Sequence, residues 1–545
     1  LAFRFPAASA QSLTKAEVQS ILDRTAAFAK AEGLSATIVV TDREANVLGA
    51  IAMSGAPVNT TLQGGGRPMQ GLEGAVVPSL FAAISKAGTG SFFETTGNAF
   101  TTRTAGYIIQ QHFPPSVEKQ AGGPLFGVQF SSLPCTDIIV PRGAAGGFLP
   151  LGLSADPGGM PLYKNGVPVG GIGVEGDGSY TVDQTPLDED RPGTAEERAA
   201  FNGSAGFHAP ADIQGTEILV NGLRLPYSDV EGPPFSGTEP PSASVTVLVP
   251  ARDTPPSRFK AKTIGAGNLP VVVLVDGAGN ERFPIKASAS ASGLTAADVE
   301  KILTQGVATA NGTRAAIRRP LGSAAQVSLT VVDTDGKVLG LVRTPDAPIF
   351  GVDVSAQKSR TAAFFSADAE FDLILGGMAS YVDAAKADGL KLDGSVAFSD
   401  RGNGFLSRPF YPDGIDGNPP GPFSRPIADW SVFNDGLQVD LVAGELMRLV
   451  SVFNTSKGII DNTRPCTPIN AIPHGIQIFA GSVPLYKNGT LVGAIGISGD
   501  GIDQDDYIAS GASAGFEAPK EKRCDRVLVR GVRLPFTKFP RHPNL

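Results

Sequence analysis

Two short segments pair a lysine with a threonine three residues later, a spacing that brings both side chains to one face of a helix. The later segment holds Lys358, Arg360 and Thr361, and the earlier one holds Lys86 and Thr89. A cation suits a carboxylate-bearing ligand, and a threonine hydroxyl can hydrogen-bond to a ligand or weakly ligate iron. The alternative is structural, with Lys358 at the surface and Thr361 packed against a sheet.

The histidines are the other candidate ligands, because histidine is the commonest side-chain ligand of haem iron. The chain has four of them: His112, His208, His474 and His542. His474 directly precedes the apolar run GIQIF (475–479), where a ligand could reach it. An ordinary loop histidine is the alternative. So few histidines exclude a multihaem cytochrome encoded by this chain.

The lysine–threonine pair recurs because most of the chain consists of two tandem repeats. SLTKAEVQSIL (12–22) returns as GLTAADVEKIL (293–303), and PLYKNGVPVGGIGVEGDG (161–178) returns as PLYKNGTLVGAIGISGDG (484–501) with thirteen of eighteen positions identical. Every matched segment keeps its order. We therefore divide the chain into an N-terminal arm (1–11), repeat 1 (12–231), a Pro/Ser-rich linker (232–291), repeat 2 (292–540) and a tail (541–545).

Within each repeat the local patterns predict helix, hairpin, helix, hairpin and helix. Thr14 with Glu17 is typical of a capping box at the first helix. Asn165-Gly166 predicts a type I′ turn in the second hairpin. This order predicts an α+β fold with an antiparallel sheet flanked by helices. Long Gly/Pro-rich insertions at 94–157 and 366–480 interrupt it.

The segment GGIGVEG (170–176) also matches the G-x-G-x-x-G pattern of dinucleotide-binding loops. A true fingerprint lies between a strand and a helix. Here it lies in a hairpin strand, and Ala494 replaces Gly171 in the other repeat. Glycines that let a helix pack closely on the strand explain the pattern better.

Composition narrows the class of protein. The net charge of −8 over 545 residues, without a basic stripe, argues against nucleic acid as a partner. No apolar run approaches the roughly 20 residues that cross a bilayer; LPVVVLVDG (269–277) suits a strand. An acidic cluster at 500–506 is explained by helix capping and dipole effects rather than by calcium, and we expect no metal site.

Cysteine usage and the N-terminus bear on location. Cys466 and Cys524 admit a disulfide that would leave Cys135 free, and buried free thiols are the alternative. The spacing supports neither zinc nor c-type haem attachment. Ala8-Ser9-Ala10 is typical of the end of an export signal, and an N-terminal arm of the mature protein is the alternative. We therefore expect a periplasmic or extracellular protein.

Several segments together resemble a known family. LTAADVEKIL, VSLTVVDTDGKVLGLVRTPDAP, DVSAQKSRTAAFFS and VPLYKNGTLVGAIGISGDGIDQD are similar to the haem-degrading GlcG/HbpS-like (DUF336) family. The resemblance implies a tandem duplication of a profilin/PAS-like domain. It covers most of both repeats at the level of motif order and is closer in repeat 2; the family domain lacks the long insertions.

The resemblance also implies a ligand and a place for it. Some family members bind or degrade haem, near the helix that here carries Lys358 and Thr361, with Lys86 and Thr89 as the weaker equivalents. Gly88 replaces Arg360 in repeat 1, so a site with two cations is expected only in repeat 2.

Two functional hypotheses follow. The first is an exported GlcG/HbpS-like protein that binds haem or another small carboxylate-bearing ligand; haem degradation and haem sensing are both left open. The alternative is a structural or partner-binding subunit of an extracytoplasmic complex, with the Phe-, Pro- and Gly-rich segment 401–430 as the protein-binding surface. We expect the repeats to pack as a pseudo-symmetric pair within one chain, and homo-oligomers of the chain are left open.

Overall fold

Two antiparallel sheets, one for each repeat, organise the computed structural model, which describes residues 11–143, 146–184, 194–230, 241–455, 460 and 462–545. The repeat 1 elements are α1 (Lys15–Ala31), β1 (Thr37–Asp42), β2 (Val47–Met53), β3 (Asn59–Gln63), β4 (Val76–Pro78), α2 (Ser79–Phe93), α3 (Thr102–Ile108), β5 (Gly159–Lys164), β6 (Val167–Glu175), β7 (Ser179–Thr181), α4 (Ala195–Gly203), β8 (Leu219–Val220) and β9 (Leu223–Arg224).

The remaining elements lie in the segment between the repeats and in repeat 2. The segment between the repeats forms β10 (Val245–Val249), β11 (Phe259–Ile264) and β12 (Leu269–Leu274). The repeat 2 elements are α5 (Ala296–Asn311), β13 (Val327–Val332), β14 (Val338–Arg343), α6 (Phe350–Ser366), α7 (Glu370–Leu375), α8 (Ala379–Ala387), α9 (Asp400–Leu406), α10 (Leu437–Thr455), β15 (Ser482–Lys487), β16 (Thr490–Gly499), α11 (Ile502–Ala512), β17 (Leu528–Val529) and β18 (Val532–Arg533).

The sheet topology confirms the α+β fold class. The first sheet has the order β10-β2-β1-β6-β5, and the second has the order β11-β12-β14-β13-β16-β15. Strands β2-β1-β6-β5 and β14-β13-β16-β15 therefore occupy equivalent places in the two sheets. The segment predicted as a linker is more than a connection, since it adds β10 to one sheet and the β11–β12 hairpin to the other.

The local sequence motifs adopt the structures that are predicted for them. Thr14 and Thr295 each cap the first helix of a repeat in a capping box. Asn165 and Gly166 both have positive φ, at 51° and 76°, as a type I′ turn requires. Such a turn fixes the register of β5 against β6.

The glycines of GGIGVEG lie in β6 and allow helix α2 to approach the strand closely. A Cβ atom on Gly171 would lie 2.0 Å from the carbonyl oxygen of Ala87, and one on Gly173 would lie 2.2 Å from that of Ala83. Gly496 in β16 has the same relation to Ser355 of α6, at 2.1 Å. These contacts confirm the close-packing interpretation of the motif.

A disulfide joins the two repeats. Cys135 of the repeat 1 insertion is bonded to Cys466 of the repeat 2 insertion, 331 residues apart in sequence. The predicted pairing of Cys466 with Cys524 is wrong. Cys524 is a buried free thiol whose sulfur donates to the carbonyl oxygen of Pro535.

The segment 401–430 packs against repeat 1 of the same chain. Trp430 stacks on Phe126 with ring centroids 5.6 Å apart, and the guanidinium of Arg408 lies 4.6 Å from the Phe126 centroid. Phe423 is buried as well. The aromatic residues predicted to bind another protein are thus used within the chain, and a separate protein partner stays a prediction.

Candidate functional site

Lys86 lies in the interior of repeat 1, on α2, surrounded by three carboxylates. Its ammonium group is 2.7 Å from Asp156, 2.9 Å from Glu175 and 2.7 Å from Glu196. None of these side chains is appreciably exposed to solvent. Burial lowers the pKa of Lys86, but the carboxylates outweigh it, so that the pKa lies well above its ordinary value. Lys86 is therefore a fixed buried cation.

Lys358 occupies the equivalent place on α6 with a different set of neighbours. Its ammonium group donates to the carbonyl oxygen of Ile497 at 2.8 Å and contacts the carboxylate of Asp505 at 3.1 Å. It also lies 4.5 Å from the centre of the Phe479 ring, in a cation–π contact. Lys358 is fully buried, so the alternative that placed it at the surface is wrong.

The difference between the two lysines follows from two substitutions between the repeats. The alignment of 161–178 with 484–501 can be extended backwards to residue 156 without a gap. It pairs Asp156 of repeat 1 with Phe479 of repeat 2, and Glu175 with Ser498. Two carboxylates of repeat 1 are thus replaced by an aromatic ring and a hydroxyl. The two repeats therefore keep the buried cation while changing the charge around it.

An arginine–carboxylate pair repeats in the same way. Arg103 binds Glu197 at 2.9 Å in repeat 1, and Arg401 binds Asp506 in repeat 2. Each of these acids directly follows the acid that binds the lysine, at the start of the last helix of the repeat. Helix capping and dipole effects, which the sequence predicts for the acids of 500–506, do not account for this pairing. The aligned acidic pairs at 196–197 and 505–506 were the signal that could have revealed it.

Arg360 and His474 lie at the junction between the repeats. The guanidinium of Arg360 forms two hydrogen bonds of 2.7 Å to Asp137, which belongs to the repeat 1 insertion. It also donates to the carbonyl oxygen of Gly336 at 2.8 Å and contacts Nδ1 of His474. Burial raises the pKa of Asp137, but Arg360 outweighs it and holds that pKa well below its usual range. These contacts fasten the repeats together.

The two threonines tie their helices to the loop that follows. Thr361 donates to the carbonyl oxygen of Gln357 at 2.7 Å and accepts from the backbone N–H of Gln477 at 2.9 Å. Thr89 donates to the carbonyl oxygen of Ser85 at 2.7 Å and accepts from the N–H of Ser154 at the same distance. Both hydroxyls have a donor and an acceptor partner inside the protein.

The six residues predicted to bind a ligand are thus buried and bound to internal partners: Lys86, Thr89, Lys358, Arg360, Thr361 and His474. None of them lines the four cavities that we describe among the described residues, with volumes of about 810, 490, 390 and 220 Å³. Their arrangement does not fit a haem in contact with them. Their role in ligand binding stays a prediction, and the contacts seen are structural.

His474 gives the junction a pH dependence that can be measured. Burial and the neighbouring Arg360 lower the pKa of His474 to about 3, from about 6.5 in the unfolded chain. A lowered histidine pKa contributes stability that is present above pH 6.5 and is lost as the pH falls towards 3. We expect the protein to lose about 2 kcal/mol of unfolding free energy from this group between pH 6.5 and pH 5.

The variant His474→Asn isolates that contribution, because its side-chain oxygen can still accept from Arg360 without binding a proton. Urea unfolding at pH 7 and pH 5 should show that the natural protein loses more stability than the variant. Equal losses in the two proteins would exclude His474 as the titrating group.

The largest of the four cavities is acidic. It has a volume of about 810 Å³ and lies beside the Lys86 cluster. Asp156 and Asp177 line this cavity. Arg103 lines it as well, but its positive charge is already paired with Glu197 and Asp183. A ligand with carboxylates is repelled by such a surface, so this cavity does not fit haem propionates.

A smaller, apolar cavity lies between the repeats. It has a volume of about 220 Å³, and Phe93 and Phe350 meet there with ring centroids 4.6 Å apart. Phe100 and Ile317 extend the apolar wall, and Lys538 supplies a cation. The floor consists of residues 499–504, where β16 leads into α11.

Residues 450–514 match the family model for the haem-degrading protein HbpS-like. This segment of the second repeat is HbpS-like. The predicted resemblance is thereby confirmed for this segment, which includes Lys487, Asp505 and the floor of the apolar cavity. The helix of Lys358 lies before the matched residues. Among the described residues, no helix combines the length and the hydrophobicity needed to cross a membrane.

Two solved structures are similar to part of this chain. The crystal structure of a PduOC:heme complex shares 16% identity with this chain, covers 42% of this chain and 97% of its own, and has a TM-score of 0.19. The crystal structure of Klebsiella pneumoniae protein ORFY, from the DUF336 family, shares 16% identity with this chain. It covers 43% of this chain and 97% of its own, and its TM-score is also 0.19. At a TM-score of 0.19, neither similarity supports a conclusion about this protein. No curated protein matched.

Proposed function

We propose that this protein binds haem or a related flat, carboxylate-bearing molecule in the apolar cavity between its repeats. The observation that carries the proposal is the meeting of Phe93, Phe100 and Phe350 above residues 499–504, which belong to the HbpS-like segment. Aromatic rings offer large apolar faces to a flat ligand. The HbpS-like match supports haem as the first ligand to test.

The chemistry of the cavity rim supports a ligand with a carboxylate. Lys538 lines the cavity, is largely exposed and lies 2.9 Å from Asp503. A ligand carboxylate at the rim would compete with Asp503 for this ammonium group. Because the exposed pair is weak, the exchange costs little.

The cavity takes in only part of a porphyrin. Its volume of about 220 Å³ is below the roughly 300–1,000 Å³ of typical ligand pockets. One edge of the ring would therefore rest against the aromatic side chains, with the carboxylates outside near Lys538.

Iron is not required for this mode of binding. Among the described residues that line the cavity there is no His, Cys, Met or Tyr to serve as an axial ligand. Haem would supply its iron chemistry when bound, while the chain contributes the apolar faces and the cation. We therefore expect metal-free protoporphyrin IX to bind about as tightly as haemin.

Titration of the purified chain with haemin and with protoporphyrin IX, followed by absorbance, tests the proposal. Saturable binding of both is expected, with Ile317→Trp blocking the cavity and abolishing it. Lys538→Gln should weaken binding about tenfold, which corresponds to about 1.4 kcal/mol, while Lys520→Gln at an exposed position elsewhere should leave it unchanged. Binding that persists in Ile317→Trp would contradict this site.

A structural or partner-binding subunit is the second candidate. It is favoured by the burial of Lys358, Arg360 and His474, which bind partners within the chain instead of facing a ligand. A chain that takes up neither porphyrin but co-purifies with another polypeptide would favour this function over the first.

We also propose that the protein is exported to the periplasm or the cell exterior. The disulfide between Cys135 and Cys466 supports this location, because disulfides persist in oxidising compartments and are rare in the cytosol. Fractionation of the native host with thiols trapped at lysis should find the oxidised chain outside the cytoplasm. A reduced chain in the cytosolic fraction would contradict export.

A further inference from the structure

A further cavity, apart from the one between the repeat cores, lies where the repeat 2 insertion covers repeat 1. Its volume is about 390 Å³, within the usual range of roughly 300–1,000 Å³ for small-molecule pockets. Repeat 1 contributes residues 64–65, 110–112, 115–116, 182 and 184 to its lining, and the repeat 2 insertion contributes Ile427, Trp430 and Val432. Among its described lining residues there is no Asp, Glu, Lys or Arg.

Trp430 lines this cavity and has an unsatisfied donor. The side chain is 6% exposed, one face stacks on Phe126, and its indole N–H has no hydrogen-bond acceptor among the described residues. A buried donor without an acceptor costs roughly 1–3 kcal/mol, so such groups call for an explanation. An acceptor on a bound molecule would satisfy it.

Two amide side chains provide acceptors in the same cavity. The nitrogen of Gln110 donates to the carbonyl oxygens of Gly106 and Asp183, and the nitrogen of Gln184 donates to that of Gly64. Because the nitrogens are bound to the backbone, the amide orientations are fixed and the side-chain oxygens are left as acceptors. The cavity thus combines a fixed donor with fixed acceptors.

His112 contributes a ring and no free nitrogen. Its Nδ1 lies 2.6 Å from the carbonyl oxygen of Gln120, and its Nε2 lies 2.8 Å from Asp416. The ring is stacked on Phe410. It therefore supports the wall of the cavity, and the polar recognition rests on the indole and the two amides.

We propose that this cavity binds a small uncharged molecule rich in hydroxyl or amide groups, such as a neutral hexose. Such a molecule both accepts from the indole of Trp430 and donates to the oxygens of Gln110 and Gln184. A charged molecule would lose its hydration without meeting a counter-charge on the described walls, which is costly. The proposal is independent of porphyrin binding, which uses other residues.

Trp430 is the only tryptophan in the chain, so its fluorescence reports on this cavity alone. We would titrate the natural protein with glucose and N-acetylglucosamine and, as charged analogues of similar shape, with glucosamine and glucuronate. A saturable change in the Trp430 emission is expected for at least one neutral sugar, with the charged analogues at least tenfold weaker. No change with any neutral sugar, or equal changes with all four, would overturn the proposal.

A conservative variant tests the indole donor. Trp430→Phe keeps an aromatic ring on Phe126 and removes the N–H, and calorimetry then replaces fluorescence as the readout. Affinity for the neutral sugar should fall about tenfold, while Gln19→Ala, at an exposed position away from the cavity, should not change it. Unchanged affinity in Trp430→Phe would show that the cavity does not bind through this group.

Discussion

Replacing Lys86 with methionine is expected to destabilise the protein far more than the same replacement of Lys358. Lys86→Met leaves three buried carboxylates without their cation, and the removal of one partner of a buried ion pair costs about 3–5 kcal/mol. Lys358→Met leaves the single carboxylate of Asp505, whose pKa burial already raises to about 7. We expect about 1–3 kcal/mol for that variant.

The pH dependence of Lys86→Met provides a second signature. Burial raises the pKa of Glu196 to about 7 and that of Asp156 well above its usual range, even with the lysine present. Raised carboxyl pKa values contribute stability that is complete below about pH 4 and is lost as the pH rises through the folded values. The variant should therefore recover stability between pH 7 and pH 5.

Urea unfolding of both methionine variants at the two pH values checks these expectations. Lys520→Met, at an exposed position, serves as the control and should change stability by less than about 0.5 kcal/mol. Equal losses for Lys86→Met and Lys358→Met, or a loss for Lys86→Met that does not shrink at pH 5, would mean that the three carboxylates do not depend on this lysine.

Removing the disulfide between the repeats is the second large effect that we expect. The bond closes a loop of 331 residues between Cys135 and Cys466, and the loss of a native disulfide typically costs about 2–5 kcal/mol. The double variant Cys135→Ser/Cys466→Ser should unfold at a lower urea concentration. Arg360 and Asp137 span the same junction, so the repeats should stay in contact in native conditions.

Thiol counting distinguishes this pairing from the alternatives. The natural chain, unfolded without reductant, should expose one reactive thiol, that of Cys524, and all three after reduction. Cys524→Ala is the matched control, since it removes a cysteine and keeps the bond. Three reactive thiols before reduction, or a peptide map that joins Cys466 to Cys524, would contradict the cross-repeat bond.

Most of the fold could be predicted from local signals that are complete within a few residues. The capping boxes at Thr14 and Thr295 and the turn at Asn165-Gly166 depend only on neighbouring backbone groups, and the structure contains them as predicted. The duplication then predicted that both repeats would share one order of elements. The position of β10 at a sheet edge could not be predicted, because it depends on pairing with β2, which lies about 200 residues earlier.

The candidate site was harder to predict because its contacts are non-local. The lysine–threonine spacing correctly places Lys358 and Thr361 on one helix, but the sequence does not show that the partners of Lys358 are Asp505 and Ile497. The same holds for Arg360, whose carboxylate partner Asp137 comes from the other repeat. A charged residue in a sequence pattern is readily assigned to a ligand when its internal partner lies hundreds of residues away.

A crystal structure of the chain with protoporphyrin IX would test the proposed function most directly. We predict ligand density in the apolar cavity, against Phe93, Phe100 and Phe350, with a carboxylate beside Lys538. Density beside the helix that carries Lys358, or a structure without bound ligand at saturating porphyrin, would contradict the proposal.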